Sequence, residues 1–239
     1  MKKLIFYLLL VVPFPTFAAI DLPWESTYNC HEWTNYVDPL NCDGFSKGLN
    51  VAHGEGIIAA ANHPGGGGGK GQRHYFNPGS GGLKIHFNTP QTHIWVRWYM
   101  KFSAGWTGTW HSFKVLYLWD SEKNPGYVQL GYPGMGGARL FGGGRHAPSQ
   151  ACKYCGFDIA FGVDEWALHE VEIDITGGVA RWWINEQLII DAVNMSWNSL
   201  DDVKTILIGS NIKELNHPEY PVWVDFDDFK ISNTGYIGP

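Results

Sequence analysis

Between positions 91 and 103 the chain reads Gln-Thr-His-Ile-Trp-Val-Arg-Trp-Tyr-Met-Lys-Phe-Ser. Its odd positions hold Gln91, His93, Trp95, Arg97, Tyr99 and Lys101, and its even positions hold Ile94, Val96, Trp98, Met100 and Phe102. Imidazole, guanidinium, phenol and ammonium groups on alternate positions could between them neutralise an acid, carry a proton and stack on a sugar ring. Successive strand side chains point to opposite sides, so this spacing makes one apolar face and one face equipped for chemistry. The solvated face of any half-buried antiparallel sheet would show a similar alternation without a function.

Further residues extend the kit. Arg73 precedes this stretch, and His111 and Lys114 open the next apolar run, which continues to Asp120. Gln129 lies in a short extended segment at 127–132, and Arg145 and His146 follow a glycine-rich stretch at 134–144 that reads as a loop. Removal of a proton next to the carboxylate of a uronic acid needs a cation or amide on that carboxylate, a base, and an acid for the departing oxygen. Arg97, Tyr99, His93, His111 and His146 are the expected catalytic set. Arg73, Trp95, Lys101, Lys114, Gln129 and Arg145 are the expected binding set, and Arg73, Arg97, Lys101, Lys114 and Arg145 could make a locally basic cleft on an acidic protein. The same face without turnover would make a lectin or carbohydrate-binding module, with Trp95, Tyr99 and Trp110 as stacking platforms.

Hydrolysis of a glycosidic bond with retention would instead need two carboxyl groups about 5 Å apart. Glu170, Glu172 and Asp174 alternate with Val171, Ile173 and Ile175 and project together from one strand. That alternation reads as the solvated acidic face of an outer strand.

The elements that must position these groups are short. Extended patterns at 57–61, 72–76, 83–87, 91–103, 111–120 and 127–132 are followed by 168–176, a hairpin turning at Asn185-Glu186, and closing strands at 203–210 and 222–232. The run at 111–120 is apolar in both phases, as expected of a central strand. Positions 65–69 are all glycine and read as a loop, while 21–48 reads as an irregular, disulfide-pinned segment. No stretch keeps a helical period. Many short strands with glycine-rich turns predict an all-β, two-sheet antiparallel sandwich.

Lys2 and Lys3, an apolar run to Val12 and the small residues near Ala18 form a signal peptide over 1–19, leaving 20–239 as a single β domain secreted or periplasmic in location. The apolar run is too short for a membrane anchor. The formal charge of −6 and the lack of a basic run argue against a nucleic-acid partner. With 12 Trp and 11 Tyr the chain has more flat side chains than a core of this size needs, which points to a carbohydrate surface and a monomer working on a polysaccharide. Cys30, Cys42, Cys152 and Cys155 are an even set in an exported chain, so disulfides are expected. Proximity favours Cys30 with Cys42 and Cys152 with Cys155; cross-pairing, and a zinc site at Cys152 and Cys155 with His146, stay open.

Three segments carry a family resemblance: Glu-Trp-Ala-Leu-His-Glu-Val-Glu-Ile at 165–173, Ala-Arg-Trp-Trp-Ile-Asn-Glu-Gln-Leu at 180–188, and Trp-Val-Asp-Phe-Asp-Asp-Phe-Lys-Ile at 223–231. Together they resemble the concanavalin A-like jelly-roll superfamily of lectins, glucanases and polysaccharide lyases, and most nearly its lyases. The resemblance implies a jelly roll that binds glycans along a concave sheet, with the strand at 96–102 as a floor strand and its odd face in the cleft. Gln91-Thr92-His93 resembles the Gln-x-His element of alginate lyases, and the Glu170 strand resembles the acidic strand of laminarinase-like glucanases. Asp227 stands where many glucanases of the superfamily supply a ligand to a structural calcium ion. The resulting expectation is a polysaccharide lyase acting by β-elimination on an anionic, uronic acid-containing polymer. A binding module and a glucanase-like hydrolase are the alternatives.

The Cys30–Cys42 link closes a short loop and should contribute on the order of 2–3 kcal/mol. Mass mapping of exported material is expected to find these two residues joined; free thiols at both positions would contradict it.

Overall fold

The computed structural model describes residues 21–26, 56–58, 61–64, 69–75, 79–104, 113–121, 125–130, 138–142, 164–195, 197, 200–212 and 223–238. They form β1 (Trp24–Ser26), β2 (Gly56–Ile58), β3 (Gly71–Tyr75), β4 (Gly79–Gln91), β5 (His93–Phe102), β6 (Phe113–Trp119), β7 (Pro125–Leu130), β8 (Ala138–Gly142), β9 (Ala167–Asp174), β10 (Val179–Ile184), β11 (Gln187–Ala192), β12 (Val203–Ile212) and β13 (Trp223–Ser232). Two corrections to the sequence reading follow at once. Part of the segment expected to be a glycine-rich loop is strand β8, and the first residues of the segment expected to be irregular form β1, which pairs with β13. Isolated three- to five-residue strands have too few side chains for a period to show; ladder partners decide them. The four cysteines, the signal segment, His111, Arg145 and His146 lie outside the described residues. No helix among the described residues is long and apolar enough to cross a membrane.

The strands form two antiparallel sheets. An eight-stranded sheet runs β11-β10-β9-β5-β13-β3-β2, with β1 also on β13, and a five-stranded sheet runs β4-β12-β6-β7-β8. Only Thr92 separates β4 from β5, so one long extended segment turns a corner and passes from one sheet to the other. The corner is tied to the next strand pair by the Ile175 amide, which donates to the Thr92 carbonyl at 2.8 Å. This is the two-sheet jelly roll expected from the strand pattern.

The core lies between the sheets. From the larger sheet come Ile94, Val96, Trp98 and Met100 of β5, Val171 and Ile173 of β9, Trp182 of β10, and Phe226 and Phe229 of β13. Ile85 and Phe87 of β4, Leu116 and Leu118 of β6, and Ile206 and Ile208 of β12 meet them from the smaller sheet. The even positions of β5 are therefore inward, as their alternation predicts. In β13 the inward parity changes from Val224 and Phe226 to Phe229 and Ile231 because a bulge falls between Asp227 and Lys230. Asp228 takes a positive φ of 46° at that bulge. The β10–β11 hairpin turns through Asn185 and Glu186, both at positive φ (48° and 65°), the geometry that suits the right-handed twist of the strands it joins. Gly71 packs so closely on the Ala61 carbonyl that no Cβ fits, and a methyl there would also stand 2.8 Å from the Phe226 carbonyl oxygen.

His169 is the one imidazole among the buried core-facing positions of β9. It is fully buried, stacks on Trp98 with ring centroids 5.4 Å apart, and accepts a hydrogen bond from the Trp182 indole N–H at 3.3 Å. Burial disfavours its charged form and lowers its pKa from 6.5 to about 3. The unfolded chain binds the proton more readily, so this contribution to stability is complete above pH 6.5 and is lost as pH falls from 6.5 towards 3. It amounts to on the order of 4–5 kcal/mol. Urea titrations across this range should show wild type losing stability more steeply than His169→Gln, which keeps an acceptor for Trp182 but does not titrate.

Candidate functional site

The residues picked out on β5 do share a face: the outer face of the eight-stranded sheet. Its surroundings differ from the expected basic cleft. Pairing with β9 sets Glu170 opposite Arg97, Glu172 opposite Trp95 and Asp174 opposite His93. Pairing with β13 sets Asp225 opposite Lys101 and Asp227 opposite Tyr99. Opposed positions on adjacent strands bring side chains within about 5 Å, so nearly every basic group meets a carboxylate.

The contacts follow from that register. Arg73 holds Asp225 through Nε and Nη2 at 2.7 and 2.8 Å and lies over the Trp223 ring at 4.4 Å. Lys101 Nζ is 3.5 Å from Asp164 and 4.0 Å from Asp225, and sits over Trp166 at 5.3 Å. The His93 imidazole stacks on Trp95 with centroids 4.0 Å apart and hydrogen-bonds Glu172 at 2.9 Å. Arg181 ties the other Glu172 oxygen at 2.9 Å and Asp191 at 2.8 Å. Tyr99 stacks on His63 at 3.8 Å, and burial lowers the His63 pKa.

Arg97 lies beneath the C-terminal segment. Its side chain is almost fully buried, with the guanidinium 5.6 Å from the Tyr99 ring centroid. The segment is fixed over it by Glu170, whose carboxylate accepts the Ile237 and Gly238 amides at 2.7 and 3.1 Å. Desolvation raises the Glu170 pKa, and those two amides and Arg97 oppose the rise. Glu170 and Glu172 are thus buried structural carboxylates, and the solvated acidic strand expected from the alternation is corrected. The cause is β9 lying inside the sheet between β5 and β10.

Asp227 is also buried. Its oxygens accept the backbone amides of His63 at 2.6 Å and Asp228 at 2.8 Å, which holds the His63 segment against β13. Calcium takes about six to eight oxygen ligands. Here the carboxylate is surrounded by N–H donors, and among the described residues no group of three or more His, Cys, Asp or Glu could hold a metal. In the described structure Asp227 serves as an acceptor for these two amides.

Lys114 and Gln129 belong to the other sheet, so the fold divides the expected site instead of assembling it. In the five-stranded sheet the ladder aligns Lys114 with Gln129 and Gln129 with Arg139, one row across β6, β7 and β8. A neighbouring row aligns Lys84, Leu207, Tyr117, Tyr127 and Phe141, and another aligns His86, Thr205 and Trp119. Tyr117 and Trp119 alternate with the core residues Leu116 and Leu118, so they face away from the core, and their rings stack 5.6 Å apart at 14°. His86 Nδ1 and Thr205 Oγ1 are hydrogen-bonded at 2.9 Å.

Charge separates the two sheets. The strands of the five-stranded sheet contain Lys84, Lys114, Arg139 and Lys204 and no Asp or Glu. Strands β9, β11 and β13 of the larger sheet carry Glu170, Glu172, Asp174, Asp191, Asp225, Asp227 and Asp228. A chain of formal charge −6 therefore has one sheet whose strands are free of carboxylates. The sequence reading missed Lys84, His86, Tyr117, Trp119 and Arg139 as site residues. The signal for Tyr117 and Trp119 was a strand apolar in both phases; for the cations it was the missing acids, which become visible only once the strands are paired.

The fold defines the class: an all-β jelly roll of two antiparallel sheets. No protein-family model matches the sequence, and no curated protein matches it. Among solved structures, the endo-β-1,4-glucuronan lyase from the fungus Trichoderma reesei superposes with a TM-score of 0.54 at 8% identity, covering 91% of this chain and 93% of that one. The alginate lyase Aly36B gives 0.52 at 12% identity over 91% and 96%, and the cellulose-induced protein Cip1 gives 0.53 at 14% over 75% and 85%. At these identities the likeness is one of fold.

Arg97 and Tyr99 support the C-terminal segment and the His63 stack. Arg97→Met should lower the urea midpoint, by on the order of 1–3 kcal/mol in stability, because it leaves Glu170 buried without its nearest cation. Its kcat on any polymer the protein cleaves should stay within about threefold of wild type. A hundredfold loss of kcat with unchanged stability would return the site to this face.

Proposed function

We propose that the protein is an exported, monomeric polysaccharide lyase that binds a uronic acid-containing polymer across the outer face of its five-stranded sheet and cleaves it by β-elimination. The observation that carries this reading is the carboxylate-free, cation-bearing sheet of an otherwise acidic protein. A polyanion is attracted to such a surface and repelled by the acid-rich opposite one. The lyase folds among the structural neighbours agree with the choice of reaction.

Lys114, Gln129 and Arg139 share one ladder row, and on this reading that row offers its two cations and its amide to a uronate carboxylate. Neutralising that group stabilises the negative charge that develops when the proton on the adjacent carbon is removed. The electron pair of that C–H bond becomes the new C=C bond, and the bond to the leaving glycosidic oxygen breaks. The oxygen takes a proton, so one chain becomes an unsaturated uronate end and the other a new reducing end. The adjacent row pairs Tyr117 with Tyr127; on this reading one of the two, as phenolate, takes the proton from the carbon and the other protonates the leaving oxygen. Rows on one face of a strand are about 7 Å apart, close enough for both to address a single sugar unit.

The test is incubation with alginate, glucuronan and other uronate polymers, following the ultraviolet absorbance of the new double bond. Wild type should generate it on at least one polymer. Arg139→Ala should lower kcat/KM by on the order of a hundredfold, and Tyr117→Phe or Tyr127→Phe should remove turnover while keeping binding. Polymer retention in affinity electrophoresis without any new double bond would convert the reading to a binding module.

A further inference from the structure

On the opposite side of the sandwich from the five-stranded sheet lies a cleft of about 520 Å³ that neither the lyase reading nor the charge network of the β5 face uses. Trp24, Glu25, Lys230, Ser232, Thr234 and Tyr236 are among its lining residues. One wall is the short β1–β13 ladder, in which Trp24 pairs with Ile231 and Glu25 with Lys230. The other is the C-terminal segment. That segment is fixed at one end by the Thr234 amide donating to Ser232 Oγ at 3.1 Å, and at the other by the Ile237 and Gly238 amides on Glu170. Backbone hydrogen bonds hold both walls, so the cleft is built into the fold.

Its chemistry selects a ligand class. Lys230 Nζ and Glu25 Oε2 stand 3.3 Å apart, a half-buried donor and an exposed acceptor side by side. An anion approaching Lys230 meets the Glu25 carboxylate, and a cation approaching Glu25 meets the ammonium. Two neighbouring hydroxyls, each able to donate and accept, satisfy both at once. Tyr236 is 50% exposed, one of the few large side chains left open on this surface, and its ring is steadied against Trp183 with centroids 5.3 Å apart. An exposed aromatic ring beside a donor–acceptor pair suits a pyranose, with its apolar C–H face and polar rim. The volume falls within the usual range for small-ligand sites.

We propose that this cleft is a second carbohydrate site, taking a neutral, hydroxyl-rich sugar unit through the Glu25–Lys230 pair and the Tyr236 ring. It is independent of the lyase reading, because it uses no residue of the five-stranded sheet. Two sites on opposite faces would let one molecule hold a neutral chain while the other sheet works on an acidic one, with the gain in effective concentration that linkage brings.

Saturation-transfer NMR and calorimetry of the full chain with cellobiose, mannobiose, galactobiose and a digalacturonate test this. Wild type should bind at least one neutral disaccharide with a Kd on the order of 1 mM. Lys230→Met and Tyr236→Ala should each weaken that binding about tenfold or more, whereas Arg139→Ala should leave it unchanged. Glu25→Gln keeps an acceptor and removes the charge that repels anions, so it should retain the neutral sugar and improve digalacturonate binding. The assignment is overturned if no neutral disaccharide binds, if Lys230→Met and Tyr236→Ala bind as wild type in a folded state, if Arg139→Ala abolishes the binding, or if Arg139→Ala, in which the uronate site of the other sheet is weakened, prefers the digalacturonate. Because Tyr236 is part of the C-terminal segment, thermal unfolding of each variant separates loss of the sugar from loss of the wall.

Discussion

The alternation of β5 is the constraint on which the rest depends. Its even face cannot enter the core unless the odd face, with Arg97 and Lys101, is accommodated on the other side of the same strand. β9 and β13 solve this by bringing Glu170 and Asp225 into register with those cations. Charges this far from bulk water must be compensated locally, because an unpaired one costs several kcal/mol. The C-terminal segment then closes over Arg97 on the Glu170 carboxylate, and Asp227 fixes the His63 segment through two backbone amides. The larger sheet is in effect an acid-rich wall that holds its own cations.

That wall is the reason the proposed function is assigned to the other sheet. The acids of the described strands are gathered in β1, β9, β11 and β13, all on the larger sheet. The cations Lys84, Lys114, Arg139 and Lys204 of the smaller sheet consequently have no carboxylate in their own strands. An acidic protein can in this way show a basic face to a polyanion while its net charge keeps it soluble. The same division explains why a neutral sugar suits the cleft beside β1, where Glu25 and Lys230 cancel.

Several features were legible in the residues. The period-two pattern of β5, the Asn185-Glu186 hairpin and the both-phase apolar run of β6 predicted a two-sheet antiparallel sandwich, and the resemblance of the segments at 165–173, 180–188 and 223–231 implied a jelly roll. Others were not legible. Glu170 and Glu172 alternate with valine and isoleucine as they would on a solvated strand, and nothing local distinguishes an acid facing water from one facing Arg97 under a chain terminus. Trp24–Ser26 and Ala138–Gly142 are too short to carry a period of their own.

Side-chain direction along a regular strand is a local property, set by the backbone every two residues, so the sequence by itself determined which residues of β5 and β9 share a face and which enter the core, whereas in β13 the bulge changes the parity. Which strands lie side by side is a long-range property. Glu170 meets Arg97 across a separation of 73 positions in the chain, and Lys114, Gln129 and Arg139 become one row only through the β6–β7–β8 ladders. Only the tertiary structure could therefore decide that the residues chosen for chemistry on β5 face carboxylates on the neighbouring strands, and that the strands without carboxylates belong to the opposite sheet.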